Sequence, residues 1–288
     1  MKKETTIFVN TSGGETSWYM AYLAKKYWST KYNLVFVFAN TGKEREETYV
    51  FNNQCSEYFD IQLNWVEAVI NPQKGIGTKH KIVDFGKADR SGKVFESMIS
   101  KYGIPNVATP KCSSVMKSDT IYSFIKEYMQ GNQNYKIAIG IRSDEFDRIN
   151  KDREKLHLIY PLISTFPSTK RTINKFWDSM PFRLQLKGYE GNCDYCFKKS
   201  LRKLLTLVVE DNSDRLSWWE TMEKKYEIHP VNPKITQRFF RNNMSIDELR
   251  KRAKLPFQKA IDDKQNTKTG FFDDLDVSGS CSESCEPF

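Results

Sequence analysis

Apolar residues in the first half of the chain fall in short, nearly continuous runs separated by polar turns. Ile7-Phe8-Val9, Leu34-Val35-Phe36-Val37-Phe38-Ala39, residues 63–70 and Lys136-Ile137-Ala138-Ile139-Gly140-Ile141 each read as a strand covered on both faces. Between them the apolar period lengthens, and residues 18–24, 46–51, 93–102 and 116–125 read as amphipathic helices. Such alternation predicts an α/β fold built on a parallel sheet with flanking helices. Residues 71–92 are irregular and basic, and read as a loop or hairpin over a site, with His80 on the surface. After Tyr160-Pro161-Leu162-Ile163 the alternation stops. Helices are expected over 172–180, 201–209 and 216–222, and a last one to Ala253 opens on the capping box Ser245-Ile246-Asp247-Glu248. The expected division is a nucleotide-binding α/β domain over 1–165, a small helical cysteine-bearing domain over 166–260, and a polar, mobile tail over 261–288.

Composition narrows the function. A chain of 288 residues can bury a sizeable core. It carries no apolar run of membrane-span length, and Met-Lys-Lys-Glu leads into no signal-peptide core, so the cytoplasm is the expected compartment. The net charge of +9 favours an anionic partner: a nucleotide, a nucleic acid or a sulfate ester. Six cysteines are too few for a disulfide scaffold and point to metal or redox chemistry.

Chemistry concentrates at the ends of the predicted strands. The first runs into Ser12-Gly13-Gly14 and then a helix, an order that lets backbone amides approach an anion, with Ser12, Thr16 and Ser17 adding hydroxyls. The spacing is neither a Walker loop nor the Gly-x-Gly-x-x-Gly fingerprint. The second strand ends in Asn40-Thr41-Gly42, which should face the same pocket. Arg142 follows the last strand and is a candidate phosphate or sulfate clamp, or a structural ion pair with the acids after it. Cys193-x-x-Cys196 has chelating spacing, and Cys112 opens a helix whose dipole favours a thiolate. Cys55 reads as inert core. Lys198, Lys199, Arg202, Lys203, Arg238, Arg241, Arg250, Lys251 and Arg252 form either a polyanion-binding face or ordinary solvated helix surfaces.

In this order the motifs resemble a known family. Ser12-Gly13-Gly14 with Ser17 resembles the PP-loop of ATP pyrophosphatases and sulfonucleotide reductases, and Asn40-Thr41-Gly42 with Glu47-Thr48-Tyr49 resembles the second signature of the phosphoadenosine phosphosulfate (PAPS) reductase family. Val83-Asp84-Phe85, the Gly140-x-Arg142-x-x-Glu145 element, Gly191-Asn192-Cys193-Asp194-Tyr195-Cys196-Phe197 and Trp218-Trp219-Glu220 are similar to a bacterial and phage group of that family. One departure is Glu15-Thr16, where many ATP-cleaving loops have Lys-Asp. The resemblance implies a PP-loop fold of the adenine nucleotide alpha-hydrolase type. It implies ATP or PAPS bound by Ser12, Gly13, Gly14, Thr16, Ser17, Asn40, Thr41, Gly42, Glu47, Gly140 and Arg142, with Mg a candidate counter-ion.

The interval from Cys112 to the cysteine pair is similar to that holding a 4Fe-4S cluster in assimilatory adenylylsulfate reductases. Ser113 stands where a second cysteine is expected, so Cys285, or else Cys281, would complete the set of Cys112, Cys193 and Cys196. Zinc accepts the same thiolates, and unmetallated thiols are a third alternative. The implied activity is cluster-assisted sulfur transfer or nucleic-acid modification, with DNA or tRNA as acceptor, a sulfur-donor protein as partner, and Cys285 and Arg142 in catalytic roles. A thioredoxin-dependent sulfonucleotide reductase is the alternative enzyme, although its Glu-Cys-Gly-Leu-His tail is replaced by Ser284-Cys285-Glu286. A non-catalytic nucleotide sensor is the alternative from a different class.

Overall fold

A computed structural model of the chain describes residues 5–232 and 234–262. Its sheet has six strands: β1 (Thr6–Thr11), β2 (Asn33–Asn40), β3 (Leu63–Val69), β4 (Lys79–Val83), β5 (Tyr135–Ala138) and β6 (Leu158–Ile159), in the order β4-β3-β2-β1-β5-β6. Every neighbouring pair is parallel except β3–β4. Around the sheet lie α1 (Glu15–Trp28), α2 (Glu46–Tyr58), α3 (Lys93–Tyr102), α4 (Asp119–Met129), α5 (Pro161–Ser164) and α6 (Lys170–Asp178). Three more follow: α7 (Leu201–Glu210), α8 (Leu216–Lys225) and α9 (Ile246–Ala253). The fold is the mixed α/β, mostly parallel arrangement that the runs of apolar residues predict.

Those runs are continuous because both faces of the sheet are covered. In β1, Ile7 and Val9 turn to one face, where Trp18 and Ala21 of α1, Phe51 of α2 and Trp177 of α6 close over them. Phe8 turns to the other and packs with Val35, Val37 and the α4 residues Ile121, Phe124 and Ile125. Replacing so enclosed a ring as Phe8 by alanine costs about 3–5 kcal/mol. A separate apolar cluster joins Phe95 and Met98 of α3 to Leu204, Trp219, Ile246 and Leu249 of α7, α8 and α9. Apolar packing therefore crosses residue 165 twice, through α6 on α1 and through α3 on the later helices.

Within residues 71–92 the hairpin alternative holds: the chain forms β4, which pairs antiparallel with β3 at the sheet edge. One local expectation changes. His80 is not a surface residue: its side chain is 5% exposed, its Nδ1 lies 2.9 Å from Ser123 Oγ, and its ring meets Phe124 edge-on. Edge pairing turns it onto α4, and burial lowers its pKa. Cys112 does open a helical segment, but the first stretch, Cys112–Ser118, is π-helical before α4 begins. The expected tail, with Cys281 and Cys285, lies outside the described residues beyond Asp262.

Candidate functional site

The glycine turn between β1 and α1 is held by its own hydroxyls. Ser17 Oγ donates to Gly14 O at 3.0 Å and accepts from Ser12 N at 3.0 Å, with Ser12 Oγ 3.1 Å away. Gly14 is the N-cap of α1 and makes no side-chain cap, an arrangement in which an anion can cap the first amides of the helix. Gly13 has φ +82°, and a Cβ there would stand 2.5 Å from Thr48 Cγ2 of α2. Gly140 serves packing: a Cβ there would lie 3.1 Å from Ser17 Cα.

This turn opens into a cleft lined by Ser12, Gly13, Gly14 and Thr16. Four cations border it: Lys117 from the π-helical segment, Arg142 after β5, Lys170 of α6, and Lys187. Ile173, Leu184 and Leu186 form an apolar wall. Arg142 is oriented by acids while lining the cleft, with Nε 3.0 Å from Asp144 Oδ1 and a guanidinium nitrogen 3.5 Å from Glu145 Oε1. Both readings of Arg142, clamp and ion pair, are thus compatible with one geometry. Glu15, also on the cleft, is held by the two-pronged fork of Arg183 at 3.0 and 3.1 Å.

Other expected nucleotide ligands stand back from the cleft. Ser17 is wholly buried in the turn. Asn40 is buried with its amide fully engaged: Nδ2 donates to Glu67 Oε1 (2.7 Å) and Asp89 O (2.9 Å). Its Oδ1 accepts from Gly42 N (3.0 Å) and Tyr49 OH (2.9 Å). Gly42, at φ +78°, leaves room for the Asp89 carboxylate. Glu47 is half-buried, and its Oε2 has no hydrogen-bond partner among the described residues. These residues shape the second loop and do not line the cleft.

Thr41 instead faces a second, narrow cavity with Cys112, Cys193 and Cys196. Its hydroxyl lies 3.5 Å from Cys193 Sγ and donates to Glu44 Oε1 at 2.7 Å. Burial pushes the Cys193 thiol well up and Glu44 adds to it, while Lys117 and the Thr41 hydroxyl act in the opposite direction. The cysteine turn is strapped to the second loop by an antiparallel bridge between Glu44 and Cys193. Two buried pairs reinforce it, Lys43–Asp194 at 3.5 Å and Arg45–Glu190 at 3.0 Å. Lys117 and Asn192 line both cavities. The three cysteines thus come together beside the cleft, but among the described residues no three His, Cys, Asp or Glu side chains form a group that could hold a metal ion. Cys55 lies in the core of α2, where burial pushes its thiol up.

The basic set after the cysteines is largely paired. Lys199 is a correction: it is buried, with Nζ donating to Tyr189 O at 3.1 Å and to Gly191 O, because it anchors the loop that walls the cleft. Arg250 meets Asp214 (3.4 Å) and Glu220 (3.3 Å), Lys251 meets Asp247 (3.4 Å), Arg252 meets Glu248 (2.6 Å), and Arg238 pairs with Glu227.

Lys117, Lys170, Lys187 and Arg183 carry no sequence signal of their own. Each arrives from an element remote from the glycine turn. No helix among the described residues is long and apolar enough to cross a membrane. In comparison with known proteins, the family described as Phosphoadenosine phosphosulfate reductase domain matches residues 6–169. The chain is also 30% identical over 286 residues to "Uncharacterized nin region protein ORF290" of Escherichia phage lambda, spanning 97% of this chain and 94% of that protein.

Proposed function

The chain belongs to the phosphoadenosine phosphosulfate reductase family, and from that premise we propose that its cleft binds the 5′-phosphate chain of an adenine nucleotide, ATP or PAPS, for sulfur transfer. The phosphates would meet the backbone amides at the start of α1. Lys117, Arg142 and Lys170 would supply the counter-charge that Glu15-Thr16 cannot, Lys187 being tied to Glu210 at 2.9 Å. Ile173, Leu184 and Leu186 offer the base an apolar wall.

One observation carries the chemical part of the reading. Lys117 and Asn192 wall both the cleft and the cysteine cavity, so sulfur held on Cys193 or its neighbours would stand about one side chain from the phosphates. In the reading we favour, ATP adenylates an acceptor and a sulfur nucleophile then displaces AMP. DNA or tRNA is the acceptor class that the net charge of +9 favours, with a donor protein supplying sulfur. Cys112, Cys193 and Cys196, with Cys285 or else Cys281 from outside the described residues, are the residues we propose for a 4Fe-4S cluster, or for zinc. Since the three described thiols do not by themselves form a metal site, the account of the cleft stands on nucleotide and thiol chemistry alone.

Product analysis tests it. Protein incubated with ATP, Mg, a sulfide source and candidate acceptor RNA or DNA should release pyrophosphate and AMP and leave sulfur on the acceptor. Sulfite from PAPS and reduced thioredoxin would replace this reading with the reductase. Nucleotide binding with no turnover of either substrate would make the chain a sensor.

A further inference from the structure

The residue after the two glycines is an acid, placed where a bound phosphate would feel it most. Glu15 is the first residue of α1, is 8% exposed, and lines the cleft. A carboxylate is itself favoured at a helix N-terminus, so Glu15 and a nucleotide phosphate compete for the same amides and the same end of the dipole. Left unpaired, it would repel the phosphate across a short, poorly solvated distance.

The structure pairs it from outside the glycine turn. Arg183, five residues beyond the end of α6, sends Nε and one terminal nitrogen to the two carboxylate oxygens of Glu15 at 3.0 and 3.1 Å. Its other terminal nitrogen reaches Asp178 Oδ1 at 2.5 Å, which fixes the fork. Trp177 Nε1 donates to the Glu15 backbone carbonyl at 3.0 Å, so the same stretch of chain grips residue 15 twice. Bidentate geometry of this kind holds a carboxylate in one orientation, which a lysine would not do.

We infer that Arg183 is a positioning residue for nucleotide binding: by engaging both oxygens of Glu15 it keeps the start of α1 open to phosphate. The inference rests on the cleft being the nucleotide site. It assigns to the cysteine-bearing part of the chain a role in phosphate binding, because Arg183 and its support, Asp178, both lie beyond the matched residues 6–169.

The test is calorimetric titration with ATP of the full chain and two variants, with thermal unfolding of the ligand-free proteins alongside. R183A should bind ATP about tenfold or more weakly, since the Glu15 carboxylate then faces the phosphate without its arginine fork. E15Q/R183A should recover affinity to within a few-fold of wild type, because the repelling charge is gone. A merely structural role predicts the reverse: the double variant stays as weak as R183A. Should R183A fail to fold, the double variant still decides, and R183K, which keeps the charge without the fork, should bind with intermediate affinity. Equal binding by wild type and R183A overturns the inference and leaves the cleft reading intact. A wild type that binds no ATP overturns both.

Discussion

Gly13 and Gly14 are neighbours with different duties. Gly13 combines φ +82° with Thr48 pressed to within 2.5 Å of where a Cβ would be, and Asn52 Nδ2 at 3.0 Å. Gly14 has ordinary φ, and its would-be Cβ meets only Ser12 Oγ at 3.7 Å. G13A should therefore destabilise the protein by about 1–3 kcal/mol, as overpacking does. G14A should stay within about 1 kcal/mol, the usual difference between glycine and alanine at an N-cap. Thermal unfolding of the two variants reads this directly, and equal losses would contradict the account of the turn. The turn is legible in the sequence because its chemistry is local: glycines, hydroxyls and a helix start lie within a few residues. Lys117, Lys170 and Arg183 are not legible. Among 45 lysines and arginines nothing marks them until α6 packs on α1 and the π-helical segment turns toward the cleft.

At the scale of elements, the strands that read clearly are those buried on both faces, as Leu34 to Ala39 are. β4 escapes the pattern because an edge strand of Lys79, His80, Lys81, Ile82 and Val83 has no apolar face to show, and Ile82 is exposed. The strap between the second loop and the cysteine turn is likewise unreadable from sequence, since it joins Lys43, Glu44 and Arg45 to residues 190–194. Its effect is to seat Cys193 against Thr41, with Cys112 and Cys196 in the same cavity. If these thiols carry a cluster, protein purified without oxygen should be brown and hold roughly four irons per chain. C193A should bleach it and C55A should not, because Cys55 is sealed in the α2 core. Colourless anaerobic wild type with stoichiometric zinc would contradict the cluster and leave a structural thiolate site in its place.

For the molecule as a whole, the decisive feature is that the cysteine-bearing part completes a site begun by the α/β part. α6 and the loop after it provide Lys170, the apolar wall and the Arg183 fork, while the glycine turn provides the amides. Neither part alone encloses the cleft, and the apolar clusters that cross residue 165 hold the halves in register. Family membership supplies the expectation of an adenine nucleotide, and the cleft supplies cations beside a glycine turn to receive its phosphates. The most direct measurement is a crystal structure of the protein grown with a non-hydrolysable ATP analogue. The account predicts phosphate density within hydrogen-bond distance of the backbone amides at the start of α1, bordered by Lys117, Arg142 and Lys170, with the base toward Ile173 and Leu184. Density for the nucleotide elsewhere, with the glycine turn empty, would contradict it.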